Sequence, residues 1–181
     1  LRHNARFDMD KLVSLNGQYL AELSADQYRG LAIPALQKAG VCTDDFTSDY
    51  LHAAIDSTVG KFKQMSEIGD YAGFYFKKLE DMEWDAEAAG KQLIPENHAL
   101  VSALRAAFVA EESFVAANIQ AAFKSTAKAL GVKVGALIHP LRLACTGQSN
   151  GPSLYHLVEI LGKDRVLASI DQALSRMKSN D

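Results

Sequence analysis

The residue types that most often carry catalysis or bind metals occur here without a spacing that would let them act together. The histidines and cysteines are scattered, and none lies at ligand spacing from another: His3, His52, His98, His139, His156, Cys42 and Cys145. Adjacent carboxylates, as in Glu80-Asp81, point to different sides of a helix. Phosphate-loop, dinucleotide and zincin motifs are absent. The sequence therefore predicts no catalytic residue and no metal site in this chain.

One stretch, residues 133–162, combines features that are typical of nucleic-acid recognition. Arg142 lies between two leucines, and the polar residues 146–151 end where Pro152 is expected to begin a helix. Unpaired RNA bases are read by guanidinium groups, by backbone N–H donors at helix starts and by apolar platforms, here Leu154. An ordinary helix–loop–helix turn around a buried arginine would show the same pattern. The residues alone leave both interpretations open.

The formal net charge of −3 hides an asymmetry along the chain. Residues 1–117 contain 11 Lys and Arg against 18 Asp and Glu, whereas residues 118–181 contain 8 against 4. Residues 118–158 contain no acid, but four cations: Lys124, Lys128, Lys133 and Arg142. Such a surface attracts polyanions, although a chance cluster on a solvated face would look the same. The change of sign predicts a domain boundary near residue 117.

Helix signals dominate the elements that would hold these residues in place. Leu12, Leu15, Tyr19 and Leu23 recur at steps of three and four, which predicts one buried helical stripe. Residues 24–27 have the pattern of a capping box. Further helix boundaries are predicted at Gly40, Thr47, Pro95, Glu112, Gly131, Pro152 and Gly162. Because no convincing alternating strand pattern occurs, the predicted fold class is all-α.

Composition predicts a chain that folds without cross-links. With 181 residues, 48% of them hydrophobic, the chain is long enough to bury a core. The two cysteines lie far apart and without a C-x-x-C or metal-ligand spacing, which favours the reducing cytoplasm, although a pairing between them stays open. No apolar run approaches the roughly 20 residues that cross a bilayer, so no membrane association is expected. The start has no signal-peptide core and no Met, which favours a fragment of a longer protein.

Two motifs resemble those of bacterial-type glutamate–tRNA ligases. The family's C-terminal signature runs Pro-Leu/Val-Arg-x-Ala-x-Thr-Gly, then a short loop, Pro, a helix and Leu/Ile-Gly-Lys-x-Arg. Its matches here are Pro140, Leu141, Arg142, Ala144, Thr146, Gly147, Pro152, Leu161, Gly162, Lys163 and Arg165. The segment that follows the family's catalytic domain is matched by Phe7, Asp8, Lys11, Leu12, Asn16 and Tyr19. Together the two matches cover essentially the whole chain.

The resemblance implies two packed helical subdomains, residues 1–117 and 118–181, that form an anticodon-binding cage. The residues implied in contacts with anticodon bases are Lys61, Arg142, Gly151, Pro152, Ser153 and Leu154. Lys61 aligns with a position where discriminating relatives read the third base with Arg. Two departures from the family pattern stand out. Gly151 lacks a hydroxyl that some relatives present, and Lys61 lacks the bidentate fork of arginine.

The resemblance also implies a function, which is recognition of tRNA(Glu) by the C-terminal part of a ligase that attaches glutamate to tRNA with ATP. Neither ATP motif of the family occurs here, so ATP and Mg²⁺ would bind in an upstream catalytic domain. We expect the chain itself to be non-catalytic, without a cofactor, and a monomer. Whether tRNA(Gln) is a second partner stays open. The alternative is a stand-alone helical interaction module of the same ancestry that no longer recognises tRNA.

Overall fold

The computed structural model describes residues 8–178, and these residues form a helical protein. The α-helices within them are α1 Met9–Glu22, α2 Ala25–Lys38, α3 Ser48–Asp56, α4 Ile68–Ala72, α5 Ala86–Gln92, α6 His98–Ala110, α7 Ala116–Leu130, α8 Gly135–Thr146, α9 Leu154–Leu161 and α10 Lys163–Lys178. Short 3-10 helices cover Met65–Glu67, Gly73–Phe76, Leu79–Asp81 and Pro95–Asn97. No β-strand occurs in this described part of the chain, so the predicted all-α fold class is confirmed.

Two compact units divide the chain, Leu1–Gly73 and Phe74–Asp181. This division differs from the predicted one, because residue 117 lies inside the second unit, within α7. That helix packs against α6 and α9, which come before and after residue 117 in the chain. Charge asymmetry describes the surface of a protein and does not require a break in its core. The change of charge near residue 117 is therefore not a boundary of packing.

Side-chain caps set the helix starts of the first unit. Asp8, Ser24 and Thr47 precede α1, α2 and α3, and each accepts a hydrogen bond from the backbone N–H three residues further on. The Gln27 side chain accepts in turn from the Ser24 backbone N–H, so the predicted capping box is confirmed. Each cap contributes about 1 kcal/mol. Helix α2 ends just before Gly40, which has a φ of +80°, also as predicted.

The core of the first unit lies between α2 and the chain that follows α3. Tyr28 is buried, and its hydroxyl lies 2.9 Å from the Thr58 hydroxyl oxygen. This pairing satisfies both polar groups inside a core that contains Leu36 and Ile55. A buried aromatic ring of this size contributes more than any single cap, because its apolar area is removed from water. Tyr28 therefore holds α2 against the end of α3.

Helix α1 forms as predicted, but its apolar stripe is exposed. Leu12, Leu15 and Tyr19 are 47%, 51% and 59% exposed, whereas Leu20 is buried. The stripe lines an open groove of about 860 Å³ together with Met9, Val13, Leu31 and Met65. The prediction of burial was wrong, because periodicity identifies an apolar face without showing what packs on it. Phe7, part of the motif near the start, lies outside the described residues.

The second unit is organised around α10, which packs against α6, α8 and α9. Its buried residues recur at helical spacing: Val166, Ser169, Ile170, Ala173 and Met177. Phe108 of α6 and Phe123 of α7 are fully buried and meet edge to face, with ring centroids 5.9 Å apart. Leu141 of α8 is also fully buried. This core places α8 and α9 side by side in one unit.

The start of α7 differs from the predicted start near Glu112. The carboxylate of Glu111 accepts hydrogen bonds from the Ser113 backbone N–H and from the Asn118 side chain. Asn118 donates a further bond to the Ser113 carbonyl oxygen at 3.0 Å. Such side-chain bonds to nearby groups compete with helical hydrogen bonds, so α7 begins only at Ala116. Its end is as predicted, because Gly131 has a φ of +66°.

Candidate nucleic-acid interface

The predicted site of the second unit lies at the corner between α8 and α9. Arg142 belongs to α8, and its Nη1 donates a hydrogen bond to the carbonyl oxygen of Pro152 at 2.9 Å. Ten residues separate the two partners, so this bond closes the loop between the helices. It uses one of the five N–H groups of the guanidinium. The structure thus brings Arg142 and Pro152 together.

Gly151 fits beside Arg142 because it has no side chain. Its φ of +154° is one that L-residues rarely adopt, and an added Cβ would lie 3.2 Å from Arg142 Nη1. A hydroxyl-bearing residue here would be strained and would crowd the guanidinium. The departure from the family pattern at Gly151 therefore has a physical reason in this chain.

The loop after α8 is fastened at its first residues. The Thr146 hydroxyl oxygen accepts from the Gln148 backbone N–H at 3.0 Å and lies 2.9 Å from the Arg142 carbonyl oxygen. Gly147 has a φ of +74°, and its carbonyl oxygen accepts from the Asp85 backbone N–H at 2.8 Å. An added Cβ at Gly147 would overlap the Glu83 carbonyl oxygen. The backbone of residues 83–85 therefore lies directly against the loop.

The residues that open α9 differ in how they could meet RNA. Ser153 is exposed, and its side chain caps no backbone N–H of α9. Pro152 is buried and precedes the helix by two residues. The prediction that Pro152 begins this helix was therefore wrong. Leu154 is only 4% exposed. The interpretation of Leu154 as a stacking platform was therefore wrong, because its side chain belongs to the core.

Two neighbours of the corner, Tyr155 and His156, have separate surroundings. The Tyr155 ring meets Phe123 edge to face at 5.3 Å, as a packing residue does. His156 is exposed and lies 3.6 Å from the Glu159 carboxylate.

Of the cations in the acid-free stretch, Lys124, Lys128 and Lys133 are all exposed. Their charge is thus available at the surface of the second unit.

Lys61 belongs to the first unit and is exposed, five residues after the end of α3. Its backbone N–H donates to the Thr58 carbonyl oxygen at 3.1 Å, within a turn that includes Gly60 at a φ of +72°. The turn borders a shallow groove of about 340 Å³ whose other lining residues include Ser14, Gln18 and Lys63. The structure therefore presents Lys61 at an exposed turn beside α1, next to a groove that has both polar and apolar lining residues.

Another groove, which the motifs did not indicate, lies beside the α8–α9 loop. Its volume is about 200 Å³, and its lining residues include Asp85, Glu87, Lys91, His139 and Ser149. Carboxylates accept hydrogen bonds from the exocyclic amino groups of bases, whereas they repel phosphates. Asp85 also accepts from the Ala88 backbone N–H at 2.7 Å, as the N-cap of α5. That capping pattern was the one signal in the sequence that could have drawn attention to Asp85.

The last two cations of the C-terminal motif point into the protein. Lys163 Nζ donates to the carbonyl oxygens of Val109 and Glu111, at 2.8 Å and 2.7 Å. Arg165 Nη2 donates to the carbonyl oxygens of Phe74 and Lys77, at 2.8 Å and 2.7 Å. Both cations therefore bind backbone at the ends of other segments. The matches to the motif did not indicate these contacts, because the partners lie more than fifty residues away.

Cys145 is fully buried in α8, and burial raises the pKa of its thiol from 9.0 to about 12. The nearby charges of Arg165 and Arg142 lower the pKa by less than burial raises it. A thiol in this state is a poor nucleophile at neutral pH.

Among residues 8–178, no three His, Cys, Asp or Glu residues are grouped so that they could hold a metal. No helix in that range is long and apolar enough to cross a membrane.

Several of the proteins that the chain is similar to are glutamate–tRNA ligases. The chain is 31% identical over 183 residues to the glutamate–tRNA ligase of Moorella thermoacetica, covering 99% of this chain and 37% of that protein. It is 35% identical over 175 residues to the glutamate–tRNA ligase of Geobacillus thermodenitrificans, covering 93% and 35%. A solved glutamate–tRNA ligase of Elizabethkingia meningosepticum superposes with a TM-score of 0.84, at 25% identity, covering 97% and 34%.

The chain thus spans little more than a third of the length of the relatives that it matches. A family model described as an anticodon-binding domain matches residues 19–174, which include both the turn with Lys61 and the α8–α9 corner. This match covers most of the chain and agrees with the motifs found in the sequence. The chain therefore belongs to the anticodon-binding domain family.

Proposed function

We propose that this chain recognises the anticodon of tRNA(Glu) as one part of a longer glutamate–tRNA ligase. The names of its relatives and the small share of their length that it covers support this proposal. The longer protein would bind ATP and Mg²⁺ outside this chain and would work as a monomer in the cytoplasm. The chain itself would contribute binding energy and specificity, with tRNA(Gln) as a weaker competitor.

The α8–α9 corner is the observation that carries the proposal. Arg142 holds the loop closed, and the exposed residues next to it, Ser149, Asn150 and Ser153, are polar. Single-stranded bases are recognised by such groups, because their hydrogen-bonding edges are accessible when they are unstacked. The exposed lysines of α7 belong to the same unit and add a field that attracts phosphates. The corner would therefore read bases while the lysines hold the backbone.

Lys61 would read the third anticodon base from the first unit. Its ammonium group can donate to a base acceptor, but it cannot form the paired, planar contact of arginine. Discrimination between a C and a G at that base would therefore be modest. The grooved surface beside Lys61 gives a base a place to lie.

Titration of the 181-residue chain with tRNA(Glu) and with an unrelated tRNA tests the proposal. Arg142→Ala should weaken tRNA(Glu) binding by roughly 1–3 kcal/mol if Arg142 reads a base. Ser153→Ala should weaken it without altering the fold, because the Ser153 side chain caps no backbone N–H of α9. Arg105→Ala is the matched control, since Arg105 is an arginine of the same unit whose guanidinium pairs with Asp171 and not with a residue of the corner.

Equal affinity for both tRNAs, unchanged by Arg142→Ala and Ser153→Ala, would contradict the proposal. It would instead support a helical interaction module that does not recognise tRNA. Loss of the fold in Arg142→Ala would identify Arg142 as a structural residue. In that case Arg142→Lys, which keeps a donor that can reach toward Pro152, would decide whether the corner reads a base.

A further inference from the structure

We infer that Arg165 is a positioning residue, which sets the α8–α9 corner through the backbone of residues 74–85. The inference rests on the proposed function, because the corner is the part of the second unit proposed to read bases. Arg165 lies in the first turn of α10, and its Nη2 donates to the carbonyl oxygens of Phe74 and Lys77. Its Nε is buried and makes no hydrogen bond. The hydrogen bonds of the guanidinium therefore hold the start of residues 74–85.

The other end of the segment touches the corner loop. The backbone N–H of Asp85 donates to the Gly147 carbonyl oxygen, and the Glu83 carbonyl lies where a Gly147 side chain would be. Between the two ends, Met82 is buried. The guanidinium of Arg176 lies over the Trp84 ring, with the guanidinium carbon Cζ 5.4 Å from the ring centroid. Residues 74–85 are thus held at their start by Arg165, at Trp84 by the same helix, and at their end by the loop.

This arrangement makes the position of the loop depend on Arg165. The loop continues from Gly147 to Pro152, whose carbonyl Arg142 holds. A shift of residues 74–85 would remove the Asp85–Gly147 hydrogen bond. The loop would then keep its contacts with Arg142 and Thr146 of α8 but lose its contact with Asp85. Lys163 provides a comparison on the same turn of α10. It also binds two carbonyl oxygens, but these belong to Val109 and Glu111 at the end of α6 and not to residues 74–85.

Hydrogen exchange of the 181-residue chain tests the inference without tRNA. Arg165→Ala should accelerate exchange of the Asp85 amide by about tenfold or more, because its hydrogen bond to Gly147 is weakened. Arg165→Lys, which can still reach one carbonyl oxygen, should restore part of the protection. Lys163→Ala is the matched control and should leave the Asp85 amide unchanged. Equal protection of that amide in wild type and Arg165→Ala would overturn the inference.

Binding of tRNA distinguishes positioning from direct contact. Arg165→Lys should reduce the preference for tRNA(Glu) over a tRNA with an altered anticodon, while the dependence of affinity on salt stays as in wild type. Loss of a phosphate contact would instead lower the slope of log affinity against log salt by about 0.7–0.9. That result would overturn the inference. If wild type shows no preference between the tRNAs, the proposed function fails, and the exchange experiment still decides the role of Arg165.

Discussion

Gly147→Ala should destabilise the second unit by about 2–3 kcal/mol, and the structure shows where this free energy is lost. Gly147 has a φ of +74°, and an L-residue in that region costs roughly 1–2 kcal/mol. The added Cβ would also overlap the Glu83 carbonyl oxygen and lie 3.4 Å from Met82 Sδ. The loop must then move away, which breaks the hydrogen bond from Asp85 and costs about 1 kcal/mol more.

The matched control is Gly131→Ala, at the end of α7. Gly131 has a φ of +66°, but no atom lies within 4 Å of an added Cβ, so only the backbone cost of roughly 1–2 kcal/mol applies. Urea unfolding can be followed by the fluorescence of Trp84, the only tryptophan, which lies beside Asp85 in the sequence. We expect a larger loss of unfolding free energy for Gly147→Ala. Equal losses in the two variants would refute the close approach of residues 83–85 to the loop.

Three further predictions concern other parts of the chain. In the longer protein, Lys61→Arg should widen the margin of tRNA(Glu) over tRNA(Gln) in charging assays, and Lys61→Gln should narrow it; a constant ratio would make Lys61 an ordinary surface charge. Lys124→Ala and Lys128→Ala should each weaken all tRNAs alike and lower the salt slope, whereas an effect confined to tRNA(Glu) would contradict a phosphate contact. Because the folded pKa of Cys145 is raised, its contribution to stability is complete below pH 9.0 and is lost as the pH rises toward about 12. Between these two pH values the unfolding free energy of wild type should fall more steeply with pH than that of Cys145→Ala, by up to about 1.4 kcal/mol per pH unit. The same slope in wild type and Cys145→Ala would refute the burial of the thiol.

Helix ends set by neighbouring residues were predictable from the sequence. The capping box of Ser24 and Gln27 and the left-handed glycines Gly40 and Gly131 depend on contacts within a few residues. The exposure of Tyr19 was not predictable, because it depends on what lies across from α1. The division between the compact units was missed for a similar reason, since the charges of a chain do not reveal which helices pack together.

The candidate site was predictable in part. The sequence placed Arg142 before a glycine-bounded polar loop that ends at Pro152, but the hydrogen bond that joins the two residues appears only in the structure. Leu154 was misjudged, because its place in the first turn of α9 directs it into the core. The contacts of Arg165 and Asp85 join residues separated by more than sixty positions. No local pattern in one sequence encodes such a pair.

The exposed apolar face of α1 also governs the behaviour of the chain at high concentration. The large exposed side chains of α1 are Met9, Leu12, Leu15 and Tyr19, and Leu31 of α2 lies beside them in the same groove. Contiguous apolar surface promotes self-association, and only electrostatic repulsion opposes it. That repulsion is weak at a net charge of −3 and disappears near the isoelectric point of about 6.0. We therefore expect the colloidal stability of the chain to be lowest near pH 6, where sulfate, which strengthens apolar association, should precipitate it most readily.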